Sequence, residues 1–470
     1  MATFFERGRI RELESLQEQY DQNKFAFIVV YGRRRVGKSS IINEFIERGS
    51  KKAIRFVATE DTNMVNLEKF SRNIFSVFPN LSSIGTFPSW ESAFDYIAEQ
   101  AKKEKLIVFI DEYPYIAKAY PPISSELQKY IDTVLQKTDM MLILCGSSMS
   151  FMENQVLGYE SPLYGRRTAQ YRIAPLDYYD SSEFFGSAST EDKLIGYAVT
   201  GGIPQYLSVI SEAATVEAGI ERSFFTKNGF MYEEPQNLLK QELREPAVYK
   251  AIITAIANGA TRPNEISSKI HEEERKTSVY IKNLIDLGIL ERVAPMFASS
   301  SRSSIFRLKD GMYRFWYRFV PDATEMIEAG YRDIYKEDVK PFINDFMGSA
   351  FEDICMQYLT RLNIGRRLPF RFGHIGRWRG GNPITKKDTE IDAVAASADE
   401  KKLILCECKW RNREPGQKTY DALKEKAALF PGKEIYYYIF SGSGFEAGLK
   451  KEAGTDKRLT LIGTDDLFNI

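Results

Sequence analysis

The feature that most restricts this chain is a junction. An apolar run, Phe25–Tyr31, passes directly into Gly32-Arg33-Arg34-Arg35-Val36-Gly37-Lys38-Ser39, and that loop into an amphipathic stretch, Ser39–Glu47. The pattern GxxxxGK(S/T) between a strand and a helix describes a loop whose backbone N–H groups turn inward around phosphate, at the positive end of a helix dipole. In that geometry Lys38 reaches the β- and γ-phosphates, and the Ser39 hydroxyl binds Mg²⁺. Gly32, Arg35, Val36, Gly37 and Ser40 complete the residues expected around a nucleotide, ATP or ADP.

The following segments keep to the same architecture. Apolar strands read at Ala53–Val57, Leu106–Ile110, Met140–Cys145 and Ala169–Ile173, with a helical stretch at Val65–Phe78 between the first two. Alternating strands and helices predict an α/β domain with a parallel sheet. Leu106–Ile110 ends in Asp111-Glu112, so Asp111 is expected to hold the Mg²⁺ and Glu112 to polarise the attacking water. Met140–Cys145 ends in Gly146-Ser147-Ser148 at the same crevice, where Ser147 is chosen over Ser148 as the hydroxyl sensing the γ-phosphate.

Length and charge set the wider frame. The chain has 470 residues, enough for about three domains. Lys plus Arg equals Asp plus Glu at 64 each, which argues against whole-protein attraction to a polyanion while leaving local basic patches open. Four scattered cysteines without a CxxC pair, and only two histidines, leave no disulfide framework and little room for zinc or triad chemistry. Cys406 and Cys408 read as small buried hydrophobes. The N-terminal residues lack the apolar stretch of a signal peptide, and the longest apolar runs are strand-length. The expectation is a soluble cytoplasmic protein with no membrane contact.

Five segments are expected: a nucleotide-binding core at 1–177, a helical lid at 178–236, a winged helix at 237–320, a helical connector at 321–344 and a small α/β domain at 345–470. The winged-helix reading rests on helices at Pro246–Ala257, Arg262–Ile270 and Lys276–Leu287, followed by a hairpin, Arg292–Phe297 and Ile305–Leu308, around a Ser-rich turn. Lys276–Leu287 is the recognition-helix candidate, with Thr277, Tyr280, Lys282 and Asn283 reaching outward, although Glu272-Glu273-Glu274 just before it would repel phosphate.

The last segment carries a second constellation. Glu390-Ile391-Asp392 is followed by a turn at Asp399–Lys402 and then by Leu403–Trp410, containing Glu407-Cys408-Lys409. On a strand, residues two apart share a face, so Glu407 and Lys409 point together. If the two strands pair, Asp392 comes close to Glu407; two carboxylates then share Mg²⁺ or Mn²⁺, and Lys409 stands beside them to orient a water. This is the PD-(D/E)xK nuclease arrangement, with Glu352 on the preceding helix as a further metal ligand. The same residues also suit an exposed ion-paired hairpin face. A neighbouring loop, Arg361–Gly380, holds arginines at 361, 366, 367, 371, 377 and 379 among Phe370, Phe372 and Trp378, a composition suited to DNA phosphates and bases.

With these residues in view, the first 320 resemble an archaeal and bacterial ATPase family of the STAND class, itself AAA+-like. The likeness is carried by Phe5, Arg7, Arg11 and Glu12, the phosphate loop, Ile110-Asp111-Glu112, Leu144–Ser148, Pro162–Arg167 and Thr200-Gly201-Gly202-Ile203-Pro204. It implies that Pro204 packs on adenine in a helical lid and that an arginine approaches the γ-phosphate, Arg166 first and Arg167 as its rival. Arg166 acting in trans requires an oligomer; acting in cis it does not. The 345–470 segment resembles the restriction-endonuclease-like domain of the same family, in which Gln417 and Tyr420 lie on the helix that contacts substrate. Two functions follow as expectations: an ATPase gating a metal-dependent DNA-cleaving domain, or a nucleotide-operated switch that binds nucleic acid without cutting.

Overall fold

Strand β1 (Ala26–Tyr31) is buried along its whole length, as a strand covered on both faces must be. In the computed structural model, which describes residues 8–79, 85–298, 304–381 and 388–470, β1 joins β2 (Ala53–Val57), β3 (Leu106–Asp111), β4 (Met140–Gly146) and β5 (Ala169–Arg172). The order is β2-β3-β4-β1-β5 and every pairing is parallel. The strand carboxyl ends therefore share one edge, and the phosphate loop, Asp111 and Gly146-Ser147 all leave from it. The crossovers include α1 (Ile10–Asp21) before β1, α2 (Lys38–Glu47), α3 (Asn63–Val77), α4 (Trp90–Ala101), α5 (Tyr113–Ala119) and α6 (Ile123–Thr133). Phe56, Phe70, Trp90 and Phe94 build an aromatic layer on the sheet.

The chain divides into two units, 1–175 and 176–470. The second opens with helices α7 (Thr190–Thr200), α8 (Pro204–Ser211), α9 (Val216–Phe224) and α10 (Glu234–Glu242). Between α7 and α8, Gly202 has φ +74°, and a Cβ there would lie 2.0 Å from the Leu176 carbonyl oxygen, so backbone packing already requires a glycine. Helices α11 (Pro246–Ala257), α12 (Pro263–Ile270) and α13 (Glu274–Asp286) follow, then an antiparallel hairpin, β6 (Leu290–Val293) and β7 (Ile305–Leu308). Ser299–Ser303 of the turn lie outside the described residues, as do Phe5 and Arg7.

Helix α14 (Gly311–Ala329) runs unbroken through Val320 and Pro321, so the domain edge expected at 320 falls within a helix. Its aromatic face packs inward: Phe315 and Phe319 meet Phe346, and the Trp316 indole donates to the Tyr232 carbonyl at 2.7 Å. Helix α15 (Ile343–Ile364) leads to a mixed sheet, β8 (Phe372–Gly381), β9 (Asp388–Ser397), β10 (Lys402–Lys409), β11 (Glu434–Ser441) and β12 (Leu459–Gly463), in the order β12-β11-β10-β9-β8. Helices α16 (Gln417–Ala427) and α17 (Ala447–Thr455) supply Tyr420, Leu423 and Leu449 to its core. Among the described residues no helix is long and apolar enough to cross a membrane.

Candidate functional site

The phosphate loop is shaped by its backbone. Arg35 and Gly37 take left-handed φ values of 70° and 89°, turning the chain into the amino end of α2. Gly32, at φ 153°, is pressed against the end of β5: a Cβ would sit 2.3 Å from the Ile173 carbonyl oxygen. Lys38 folds back over the loop and donates to the Gly32 and Arg33 carbonyls at 2.9 and 3.0 Å. The Ser39 hydroxyl donates to Asp111 at 2.5 Å, bringing together across β1 and β3 the pair expected at the metal. A hydroxyl and a carboxylate in contact beneath inward-turned N–H groups are hard oxygen donors suited to a magnesium nucleotide.

Glu112 has φ 50°, an uncommon conformation for a side-chain-bearing residue. Its carboxylate accepts both the backbone N–H and the hydroxyl of Ser147, at 3.2 and 2.9 Å. Ser147, not Ser148, is thus the β4-end hydroxyl facing the expected base. Arg9 is a residue that spacing did not single out. It is buried and donates to the Val36 carbonyl at 3.2 Å and to that of Ala174 at 2.6 Å, tying the phosphate loop to the last residues of its unit. The Gly8-Arg9 pair before the first amphipathic helix was its only local sign.

Arg166 is elsewhere. It forms a two-pronged pair with Asp132 of α6, at 2.8 and 2.7 Å, just before β5, where Thr168 N–H bonds the Phe27 carbonyl at the start of β1. That is the edge opposite the phosphate loop. Six strand residues at about 3.3 Å each separate the two, farther than an arginine side chain reaches. In this arrangement Arg166 is held by Asp132 away from its own chain's phosphate loop. Pro204 is buried in the first turn of α8.

The second constellation forms at the end of the β9–β10 ladder. The register pairs Ala393 with Cys406, which sets Asp392 opposite Glu407. Both carboxylates face the Lys409 ammonium: Glu407 accepts from it directly, and Asp392 lies 3.8 Å away. Asp392 also accepts the Cys408 N–H at 2.7 Å. Lys426, from the last turn of α16, donates to the other Glu407 oxygen at 2.9 Å. Burial raises the Asp392 carboxyl above its ordinary range, with Glu407 adding to the shift and Lys409 offsetting part of it. Glu407 moves the other way: burial opposes ionisation, but Lys409 and Lys426 outweigh it. Two facing carboxylates are hard-cation donors in chemistry.

Several expectations are corrected here. Glu352 does not join the pair; its carboxylate accepts from Arg377 at 2.7 Å, and among the described residues no group of three His, Cys, Asp or Glu side chains is arranged to hold a metal. Half of the expected Arg361–Gly380 loop is strand β8. Arg361 is bound to Asp177 and Asp180, Arg377 to Glu352 and Asp353, and Arg379 to Glu390 at 3.2 Å. Phe372 is buried, while Phe370 and Trp378 pack on Tyr436 and Phe430. Arg361 and Arg377 are largely covered, where an unpaired guanidinium would be costly, whereas the Arg379–Glu390 pair is exposed. On α13, Thr277 and Tyr280 face inward, Tyr280 donating to Glu245 at 2.5 Å and Asn283 to the Tyr249 hydroxyl at 2.7 Å; only Lys282 of the four is exposed. Tyr420 is buried with its hydroxyl on Asp456, and Gln417 donates to Asp421.

Missed altogether was a network around Asp353, whose carboxylate receives Arg307 of β7 at 2.7 Å, Arg314 of α14 at 3.1 Å and Arg377 of β8 at 2.9 Å. Burial works against its ionisation, but the three guanidinium groups hold it down to about 2.

The first unit thus defines a P-loop nucleotide-binding protein with a parallel five-stranded sheet. An ATPase-domain family found predominantly in Archaea matches residues 4–210, and a family described as archaeal and bacterial proteins of unknown function matches residues 316–423. An uncharacterized protein of Methanocaldococcus jannaschii is 33% identical over 444 residues, covering 93% of this chain and 96% of its own length. An uncharacterized ATP-binding protein of the same organism is 49% identical over 40 residues, 8% of this chain and 68% of its own. Among solved structures, the Walker-type ATPase of Pyrococcus abyssi matches with a TM-score of 0.50 at 19% identity, over 66% of this chain and 95% of that one. The chain belongs to the family of this M. jannaschii protein and carries an archaeal ATPase domain at residues 4–210, which supports ATP binding and hydrolysis.

Proposed function

We propose that the protein is an ATP-operated DNA-processing enzyme, in which nucleotide turnover in the first unit governs divalent-metal-dependent phosphodiester hydrolysis in the C-terminal sheet domain. One observation carries the nuclease half: Asp392 and Glu407 converge on the Lys409 ammonium in a largely buried position at a strand end. A buried carboxylate pair with a lysine is an expensive arrangement for a merely structural hairpin face. Lys409 orients the attacking water and offsets charge on the phosphate in the transition state. Asp392 and Glu407 are the residues that hold the metal, which, when bound, lowers the pKa of that water.

In the nucleotide half, Lys38 binds the phosphates, Ser39 and Asp111 hold Mg²⁺, and Glu112 orients the attacking water while Ser147 positions its carboxylate. Mg²⁺, when bound by Ser39 and Asp111, would neutralise charge on the transferred phosphate. Pro204 packs on adenine. Arg166, on the far edge of its own sheet, serves a neighbouring protomer's nucleotide, so turnover requires an AAA+-like oligomer. Helices α11–α13 with the β6–β7 hairpin act as a winged helix, and the exposed Arg366, Arg367 and Arg371 contact phosphates.

Purified protein incubated with labelled DNA, Mg²⁺ or Mn²⁺, with and without ATP, tests this against Lys409→Ala. Metal-dependent cleavage lost in the variant supports the reading. A second reading, a nucleotide-operated switch that binds nucleic acid without cutting, is favoured by one feature: Glu352 is engaged by Arg377 rather than by the carboxylate pair. Absence of cleavage with ATP turnover intact would select it.

A further inference from the structure

The carboxylate site is electrically closed as it stands. Lys409 and Lys426 each donate to one oxygen of Glu407, at a side chain 12% exposed, and Asp392 faces Lys409. Two carboxylates and two ammonium groups sum to zero. The next acidic side chain, Glu352, is matched by Arg377, and the cation beyond Lys409 is Arg411, which adds positive potential. A divalent cation entering this set leaves two uncompensated positive charges beside two lysines in a poorly hydrated place, where like charges repel strongly. A phosphodiester anion arriving with the metal supplies the missing negative charge.

The two lysines are not equivalent. Lys409 lies two residues from Glu407 on the same strand face and stays beside it. Lys426 comes from a separate element, the last turn of α16, on a long flexible stem, so its hold on Glu407 is not fixed by the strand.

Building on the reading of this site as a phosphodiester-hydrolysing centre, we propose that Lys426 makes metal occupancy conditional on nucleic acid: it neutralises Glu407 until a phosphate backbone draws it away, so metal and nucleic acid bind cooperatively. Lys426 acts as a positioning residue that prevents a metal-loaded, substrate-free state.

Calorimetric titration of Mn²⁺ into the full-length, nucleotide-free protein tests this, with and without a phosphorothioate-linked DNA duplex that resists cleavage. The heat lost in Asp392→Asn identifies this site. In the unaltered protein the duplex should tighten Mn²⁺ binding roughly tenfold, as expected for cancelling one nearby like charge, and by reciprocity Mn²⁺ should tighten duplex binding equally. Lys426→Ala should bind Mn²⁺ tightly without duplex, and its coupling should fall toward one. Lys426→Arg, keeping the charge, should retain the coupling. Equal Mn²⁺ affinity in Lys426→Ala and the unaltered protein overturns the inference while leaving the metal site standing. If Asp392→Asn removes no heat under any condition, the metal site itself falls, and the inference with it.

Discussion

The two sites are built by opposite means. Around the nucleotide, the backbone does most of the shaping: left-handed residues at 35 and 37 bend the loop, and three parallel strands end at one edge. Around Asp392 and Glu407, side chains converge from β9, β10 and α16, and their charges cancel one another. A backbone cradle is ready for an anion before any ligand arrives, whereas a side-chain cluster in a buried place must first satisfy itself. The first arrangement announces its chemistry in a local pattern; the second conceals part of it in pairings between distant segments.

The sharpest way to break that comparison is at the loop. Lys38→Ala should abolish ATP turnover, measured as phosphate release, while leaving the fold intact, because the cradle is made of main chain. Undiminished turnover would mean the loop does not hold the nucleotide. Next in size, Arg166→Ala should slow turnover by about 10³-fold or more, the range for an arginine acting on a transferring phosphate. Mixing it with Lys38→Ala protein, which keeps Arg166, should restore activity if the arginine acts between protomers; a mixture as inactive as its parts would show that Arg166 does not act on a neighbouring protomer's nucleotide.

A smaller effect tests whether charge closure also governs stability. Asp353→Asn should destabilise the second unit by about 3 kcal/mol in denaturant unfolding, since it leaves three buried guanidinium groups short of a partner. The Asp353 carboxyl lies at about 2 in the folded protein, below its unfolded value of about 3.9. Its contribution is therefore complete above pH 4 and is lost as pH falls toward 2. Unfolding midpoints across that window should drop in the unaltered protein and flatten in the variant.

Much of the molecule was legible because its determinants are local. The apolar runs at Ala53–Val57 and Ile305–Leu308 coincide with β2 and β7, and the amphipathic stretch Pro246–Ala257 with α11. The period-two spacing of Glu407 and Lys409, with the turn at Asp399–Lys402, placed Asp392 opposite Glu407. Spacing could not show which polar residues would be spent on packing. Thr277 and Tyr280 read as outward on a helix whose α11-facing side was not known, and Tyr280 instead packs against Tyr249. The arginines at 361 and 377 read as free because their acids, Asp177 and Asp353, lie far away in sequence or on another element.

The sequence by itself determined the parallel nucleotide-binding sheet, its loop, and the shared face of the second carboxylate pair, since each depends on residues within a few positions or on strand alternation. Only the tertiary structure decided that Arg166 stands on the far edge of its sheet, that Glu352 belongs to Arg377, and that Lys426 closes the charge on Glu407. Those facts depend on which segments meet when the core packs, and a buried charge takes the nearest opposite charge that packing supplies.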